Sequence, residues 1–327
     1  MHDARPRQGT GSDLLDSIGN TPVFRLRKMA APGRAEVWVK WEGANPTGSM
    51  KDRMALSMVE GAERRGQLKA GGRVVEYTGG STGSSLAMVC AVKGYRAHFV
   101  SSDAFADEKI ATMRALGATV EVIPSPGRKS TPELFQKMIA RAKELSLEQG
   151  TFWTDQMNNP DNRAGYHGMA EEILRQVGSF DCFVKSVGTG ACFSGNAEVY
   201  KGRLDRVHCV AVEPASSRNL SGGRLGGHRI EGIGVGFVPK IMRMDLVDEI
   251  ISVSDADAYA TARELAQTEG IFGGTSSGAN VFAALQVARR LGPGRSVVTV
   301  IVDSGLRYLA GDLFKPDAAP AVTGTPS

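Results

Sequence analysis

From about residue 72 the chain alternates short runs of β-branched residues with segments of helical periodicity, the rhythm of successive βαβ units. Helices are indicated at 84–94, which Gly94 closes, at 107–117, and where apolar residues from Leu134 to Leu145 share one face. Between turn formers, short apolar runs predict strands at 73–77, 97–102 and 118–124. The first half of the chain therefore predicts one parallel sheet.

A second series of the same kind fills the rest of the chain. Strands are predicted at 181–187, 207–214, 249–254 and 296–303, with helices near 162–176, 255–269 and 278–291. We predict an α/β fold of two mostly parallel sheets with helices on both faces, joined near residues 150–160. Ligands of such sheets bind outside the carboxyl ends of the strands, where the glycine-rich turns of this sequence fall.

Composition narrows the class of protein. The 327 residues suffice for two compact units, and no apolar run reaches the roughly 20 residues that cross a bilayer. The net charge of +4 is spread along the chain, which argues against a nucleic-acid partner. Four cysteines without CxxC spacing predict buried free thiols in the reducing cytosol. We expect a cytoplasmic protein without a membrane partner, with polar tails at 1–11 and 315–327.

Four segments combine glycine with hydroxyl residues: 45–53, 77–85, 187–195 and 273–279. The third, VGTGACFSG, is the best candidate for an anion site, because glycine lets backbone N–H groups converge ahead of a helix N-terminus. Phe193 stands where the last glycine of GxGxxG would be, and the GK[ST] ending of a P-loop is absent. Taken singly, such a segment serves equally well as a plain strand-to-helix turn.

Lys51 is the candidate nucleophilic amine. It follows turn formers and precedes a helical pattern that starts at Asp52, so its side chain could project from a helix start into a cleft. A positive helix end and desolvation both lower the pKa of an amine, as a Schiff-base lysine requires. Spacing alone does not separate this role from that of an ordinary surface lysine.

Two other kinds of site have formal matches. GGSTG at 79–83 and GTSSG at 274–278 both satisfy GxSxG, the nucleophile elbow of α/β-hydrolases. Only Ser81 has histidines downstream that could serve as its base, His208 and His228. His167 and His208 lack ligands at helical spacing, so we predict no metal site.

Taken together and in order, the segments resemble the cysteine synthase and cystathionine β-synthase family, whose members use pyridoxal 5'-phosphate (PLP) and share fold type II. The resemblance spans residues 12 to about 314. It is carried by seven segments: IGNTPVFRL (18–26), NPTGSMKDR (45–53), TGGSTG (78–83), GTGAC (188–192), EGIGVGFVP (231–239), EGIFGGTSSGA (269–279) and DSGLRYL (303–309).

The resemblance implies a role for each segment. Lys51 would hold PLP as a Schiff base and carry the substrate α-proton, and Ser276 would bond the pyridine nitrogen. The cofactor phosphate would lie on Gly188, Thr189, Gly190, Ala191 and Cys192. The ring hydroxyl of PLP would lie near Ser81. The substrate would contact Thr78, Gly79, Gly80, Ser81, Thr82, Gln156 and Gly232.

Three departures from the family pattern bear on these roles. The substrate loop usually reads TSGNTG, so Gly79 replaces a serine and Ser81 the asparagine that would touch the ring hydroxyl. The phosphate loop usually reads GTGGT, so Cys192 offers a weak thiol donor in place of a hydroxyl. Val235 and Gly236 resemble the cysteine synthase branch more than the cystathionine branch.

The resemblance therefore implies β-replacement on an O-activated serine or a similar amino acid, with a thiol or sulfide as nucleophile. Two further reactions stay open, β-elimination from cysteine and cystathionine β-synthase activity, as does a catalytically impaired PLP-binding regulator. It also implies a homodimer. We expect a smaller mobile domain at 45–158 and a larger phosphate-binding domain formed by 12–44 and 159–314.

Overall fold

The structure, a computed structural model, describes residues 13–30, 32–128 and 131–315. It confirms the predicted fold class, because the chain forms two mostly parallel sheets with helices packed on them. The predicted tails, 1–11 and 315–327, lie outside the described residues except for Lys315. None of the helices in the described part of the chain is both long enough and apolar enough to cross a membrane.

The first sheet has four parallel strands in the order β5-β4-β3-β6. Its strands are β3 (Arg73–Tyr77), β4 (Arg96–Ser102), β5 (Thr119–Ile123) and β6 (Thr151–Trp153). Its helices are α2 (Ser81–Lys93), α3 (Asp107–Ala115) and α4 (Pro132–Ser146). The prediction did not include β6, whose three residues are too few to show a periodicity.

Local signals explain why these helices begin and end where they do. Gly94 closes α2 in the left-handed conformation with φ of +75°, as predicted. Thr131 caps α4 by accepting a hydrogen bond from the Leu134 N–H. The apolar face of α4 is buried against Val75, Tyr77 and Val100 of the sheet.

The second sheet has six strands in the order β1-β2-β10-β7-β8-β9, of which only β1 is antiparallel to its neighbour. Its strands are β1 (Val23–Arg25), β2 (Glu36–Trp41), β7 (Cys182–Ser186), β8 (His208–Pro214), β9 (Glu249–Val253) and β10 (Ser296–Ile301). The prediction lacked β1 and β2. The last strand in sequence, β10, lies at the centre of the sheet between β2 and β7.

The remaining α-helices are α1 (Lys51–Arg64), α5 (Pro160–Ala164), α6 (His167–Val177), α7 (Ala191–Arg203), α8 (Asp255–Glu264) and α9 (Thr275–Leu291). The single helix predicted near 162–176 is wrong, since α5 and α6 are separate. Gly165 lies between them against α1, and a Cβ there would come within 2.9 Å of the Arg53 carbonyl oxygen. The helix predicted at 255–269 consists of α8 followed directly by a π-helical turn, Leu265–Glu269.

A buried ionic cluster lies at the start of α1. The Arg53 guanidinium bonds Glu42 (Nε to Oε2, 2.7 Å) and Glu172 (Nη1 to Oε1, 2.8 Å). The Lys40 ammonium lies 2.6 Å from Glu172 Oε2. Burial opposes ionisation of Glu172, but Arg53 and Lys40 together lower its pKa to about 2. All four cysteines, Cys90, Cys182, Cys192 and Cys209, are buried and free, as predicted.

Candidate active site

Each glycine-rich segment opens a helix: α1 starts at Lys51, α2 at Ser81, α7 at Ala191 and α9 at Thr275. The first two segments touch, since the hydroxyl oxygens of Thr47 and Ser85 lie 3.3 Å apart.

The segment 231–236 joins the other two glycine-rich segments. The Gly234 N–H donates to the Val187 carbonyl (3.1 Å), and the Glu231 N–H donates to Thr275 Oγ1 (2.9 Å).

The segment 303–309 links the pair 45–53 and 77–85 to the pair 187–195 and 273–279. Asp303 forms a β-bridge with Ser49, and Ser304 forms one with Gly273. The Arg307 guanidinium donates to the Thr47 carbonyl (2.8 Å). The segments 45–53, 77–85, 187–195, 231–236, 273–279 and 303–309 therefore surround one region, the cleft.

Lys51 is the first residue of α1 and is half-buried. Burial, and then the nearby charge of Lys185, lower the pKa of its amine to about 8, although Cys192 and Asp303 act in the opposite direction. A lysine with this pKa is neutral in a substantial fraction of molecules near neutral pH, which is the form that attacks a carbonyl or accepts a proton.

The loop from Gly188 to Cys192 forms a cradle at the start of α7. Gly190 is the N-cap, with φ of +82° and no side chain of its own to cap the helix. A Cβ on Gly188 would lie 2.2 Å from the Gly232 carbonyl oxygen. Thr189 Oγ1 accepts from the Ala191 N–H (3.3 Å), and burial raises the pKa of the Cys192 thiol. The loop fits a phosphate bound by backbone N–H groups.

The loop 78–82 opens α2 in the same way, with Gly80 as an N-cap without a side chain. The Gly80 N–H donates to Thr78 Oγ1 (3.1 Å), and the Thr82 hydroxyl donates to Gln156 Oε1 (2.8 Å). Gly79 leaves space that the ring of Phe105 occupies, because a Cβ there would lie 2.7 Å from it.

The Ser81 hydroxyl does not face a histidine. It accepts a hydrogen bond from Arg307 (3.2 Å). His208 bonds Glu249 (3.2 Å), and His228 bonds the Gly234 carbonyl (3.2 Å). The geometry therefore gives no support to the hydrolase interpretation. Among the described residues no group of three or more metal-binding side chains comes together.

Ser276 is buried in the first turn of α9, whose N-cap, Gly274, makes no side-chain cap. Gly232, with φ of +81°, lies against Gly188, so this predicted substrate residue borders the phosphate cradle. The structure thus brings every predicted site residue into one cleft, and the individual roles stay predictions.

Three residues of the cleft were not predicted. Lys185 lies on β7 and is fully buried, as is Asp303 after β10. Asp303 Oδ2 accepts from the Tyr308 hydroxyl (2.8 Å), whereas Oδ1 is buried without a hydrogen-bond partner. A charged residue inside the apolar run DCFVKSV was a signal for Lys185. Arg307 lies in the segment DSGLRYL that the sequence analysis named, but its contacts with Thr47 and Ser81 had no local signal because both partners come from distant segments.

Helix N-termini show why the cleft suits an anionic ligand. Side chains cap α4, α5 and α8, whereas α2, α7 and α9, which begin at the cleft, have glycine N-caps. Apart from the Ala191 N–H, which donates to Thr189 Oγ1, the first N–H groups of these helices stay available for ligand oxygens. Together with an amine of lowered pKa and a tight glycine cradle, these groups fit PLP. When bound, PLP supplies an electron sink for a carbanion.

The fold and the site define a PLP-dependent enzyme of fold type II. A family model described as pyridoxal-phosphate dependent enzyme matches residues 14–303, and the chain belongs to that family.

The relatives narrow this class. A cysteine synthase of Staphylococcus aureus (strain Mu50 / ATCC 700699) is 42% identical over 308 residues, 93% of this chain and 97% of the relative. The crystal structure of an O-ureido-L-serine synthase has a TM-score of 0.89 at 35% identity and covers 95% of this chain and 98% of its own. A cysteine synthase structure from Entamoeba histolytica has a TM-score of 0.87 at 34% identity and covers 98% and 95%.

Proposed function

We propose that this chain catalyses PLP-dependent β-replacement, in which a sulfur nucleophile displaces the activated oxygen of an O-substituted serine. The observation that carries the proposal is the placement of the Lys51 amine, with its lowered pKa, in one cleft with the phosphate cradle and the loop 78–82. The similarity to cysteine synthases supports the sulfur nucleophile.

Lys51 is the group that moves the proton. Its neutral amine takes the α-proton of the bound amino acid, and the β-leaving group then departs. After the nucleophile has added at the β-carbon, the same amine returns the proton to the α-carbon. A pKa of about 8 suits both steps, because neither form of the amine is rare near neutral pH.

The substrate carboxylate binds at the N-terminus of α2. The glycine N-cap leaves backbone N–H groups of Ser81 and Thr82 for its oxygens, and the hydroxyl of Thr82 lies at the same helix start. Gln156 is held for this role by two bonds, from its Nε2 to the Tyr77 carbonyl (3.1 Å) and from its N–H to Glu76 Oε2 (3.0 Å). Backbone donors would compensate for the small side chains of this loop.

Ser276 would meet the ring nitrogen with a hydroxyl group. A serine does not keep that nitrogen protonated as a carboxylate would, because its hydroxyl carries no charge. A weaker electron sink favours loss of a β-substituent over transamination. The side-chain chemistry thus supports replacement or elimination at the β-carbon.

We also propose the two-domain arrangement, with residues 45–158 closing on substrate over 12–44 and 159–314. An ion pair between Lys109 and Glu231 spans the two units and supports it. Family resemblance supports a cytoplasmic homodimer. Light scattering of the purified protein tests the dimer, and a monomer at working concentration would contradict it.

The decisive experiment compares three reactions of the purified holoenzyme. O-acetylserine with sulfide should give cysteine, faster than cysteine alone releases sulfide and faster than serine with homocysteine gives cystathionine. The matched control is Lys51→Ala, which should be inactive in all three.

Each other outcome identifies an alternative. Faster sulfide release would show a β-eliminating enzyme, and faster cystathionine formation would show the cystathionine branch. PLP binding without any turnover would show the catalytically impaired regulator.

A further inference from the structure

Lys185 lies in the middle of the six-stranded sheet, on β7 between β10 and β8. Its side chain is only 1% exposed. The ammonium folds back onto the next residue, donating to the Ser186 carbonyl (2.9 Å) and to Ser186 Oγ (3.2 Å). Both acceptors are neutral, so the charge itself is not balanced by them.

A buried ammonium without a counter-ion is costly. Lys40, equally buried on β2, has Glu172 at 2.6 Å, but no ion pair of the described residues involves Lys185. Asp303 is the carboxylate that acts on Lys185 electrostatically, and one of its oxygens already accepts from Tyr308. Lys51 and Lys185 together bring two amines to a pocket with one such carboxylate. The charge balance of the pocket leaves room for an anion.

The Lys185 amine lies at the base of the phosphate cradle. Ser186 ends β7, and the cradle starts two residues later at Gly188. Asn280 fixes this strand end, because its Oδ1 accepts from the Ser186 N–H (2.6 Å). Cys192, at the far end of the cradle, also acts on Lys185 electrostatically, so the amine lies near the loop as well as on Ser186.

The cradle itself has weak side-chain donors. Cys192 presents a thiol, and Thr189 already accepts a bond from the Ala191 N–H within the loop. A nearby ammonium would supply what the loop lacks, since charge-assisted hydrogen bonds to phosphate are about twice as strong as neutral ones.

We propose that Lys185 is a cofactor-binding residue whose ammonium balances the phosphate charge of PLP at the base of the loop 188–192. This inference rests on the proposed function. The ligand class is a phosphate monoester, and the acting partner is the phosphate group, not the pyridine ring.

The test compares PLP with pyridoxal, which lacks the phosphate, on the full-length apoenzyme. In Lys185→Met the affinity for PLP should fall about 10- to 100-fold, the range that one charge-assisted hydrogen bond gives. The affinity for pyridoxal should fall much less, and only because the Lys185 charge no longer lowers the pKa of the Lys51 amine. Lys185→Gln, which keeps a donor for Ser186, should lose PLP affinity to a similar extent and serves if the methionine variant does not fold.

Two controls separate a phosphate contact from a general defect. Lys40→Gln removes another buried lysine of the same sheet and should leave the ratio of PLP to pyridoxal affinity unchanged. Cys192→Thr, introduced into the Lys185→Met background, should recover part of the PLP affinity because it restores a hydroxyl donor to the loop.

An equal loss of affinity for both ligands, or no loss for PLP, would overturn the inference. Neither result would affect the proposed function, provided that the wild-type protein forms the visible absorption band of lysine-bound PLP. Failure of the wild-type protein to form that band would overturn the proposed function as well.

Discussion

Two buried groups of charges flank the start of α1, and they differ in charge balance. On one side, Arg53 and Lys40 face Glu42 and Glu172, so that two cations meet two carboxylates in direct ion pairs. On the cleft side, among the described residues the carboxylate that acts on both Lys51 and Lys185 is that of Asp303, whose Oδ1 has no hydrogen-bond partner.

The comparison separates a structural cluster from a functional one by physical criteria. A buried ion pair is retained when every partner is satisfied, because breaking it leaves an uncompensated charge. A pocket that keeps excess amines and an unpaired oxygen has a folding cost that a ligand can offset. Lys51 and Arg53 are two positions apart on the same helix, yet the proposed role of Lys51 is chemical whereas Arg53 belongs to the balanced ion-pair cluster.

The largest expected effect comes from removing the Lys51 amine. Lys51→Ala should lower the turnover of O-acetylserine with sulfide by about 10³-fold or more, because proton transfer and covalent cofactor attachment both depend on it. Its free energy of unfolding should change little in the apoenzyme. Steady-state assay and urea denaturation check the two parts, and a variant with a tenth of wild-type turnover would contradict the proton-transfer role.

The two buried lysines should differ in what they contribute to stability. Lys40→Met should lower the free energy of unfolding by about 3–5 kcal/mol, because Glu172 loses a buried partner. Lys185→Met should leave the apoenzyme as stable as wild type, or make it more stable, because it removes a buried amine whose hydrogen-bond acceptors on Ser186 are both neutral. Urea denaturation of both apo variants measures these free energies of unfolding. Equal destabilisation of the two variants would contradict the proposed difference between the two clusters.

The cradle beside Lys185 should tolerate no added side chain at Gly188. Gly188→Ala places a Cβ 2.2 Å from the Gly232 carbonyl oxygen, and the required backbone shift should cost about 1–3 kcal/mol and weaken PLP binding. The matched control is Gly202→Ala, which lies near the end of α7, the helix that follows the cradle, and has open space around it. The control should be neutral or slightly stabilising. Identical PLP affinities in the two variants would contradict the prediction that the loop 188–192 binds the phosphate of PLP.

The smallest effect is a pH dependence. The capture of pyridoxal by the apoenzyme needs the neutral Lys51 amine, so its rate should rise about tenfold per pH unit and level off above about 8. The groups that face this amine are Lys185, Cys192 and Asp303. Stopped-flow absorbance gives the profile, and Lys51→Ala gives the blank. A rate still rising well above pH 8 would show an amine of ordinary pKa.

Local sequence determined most of the elements. Strands β3, β4, β5, β7, β8 and β9 lie where alternation and turn formers placed them, because a buried strand between two helices leaves a dense apolar run. The ordered glycine-rich segments and Lys51 were also visible, since a loop that must approach a ligand closely shows its glycines in the sequence. The resemblance built on those segments gave the PLP family, which the comparisons confirm.

What the sequence left open were arrangements between distant segments. The central place of β10 depends on pairing across most of the chain, and the break between α5 and α6 depends on the backbone of α1 against Gly165. Arg307 at Ser81 and Asp303 beside the two amines are likewise long-range placements.

A charge inside a strand is only a local fact, and its meaning depends on what surrounds it. Lys40 and Lys185 both stand in apolar strands of one sheet, and the sequence gives no reason to treat them differently. Only the tertiary structure places a carboxylate against Lys40 and leaves Lys185 at the phosphate cradle, because desolvation and charge pairing are set by neighbours from other elements.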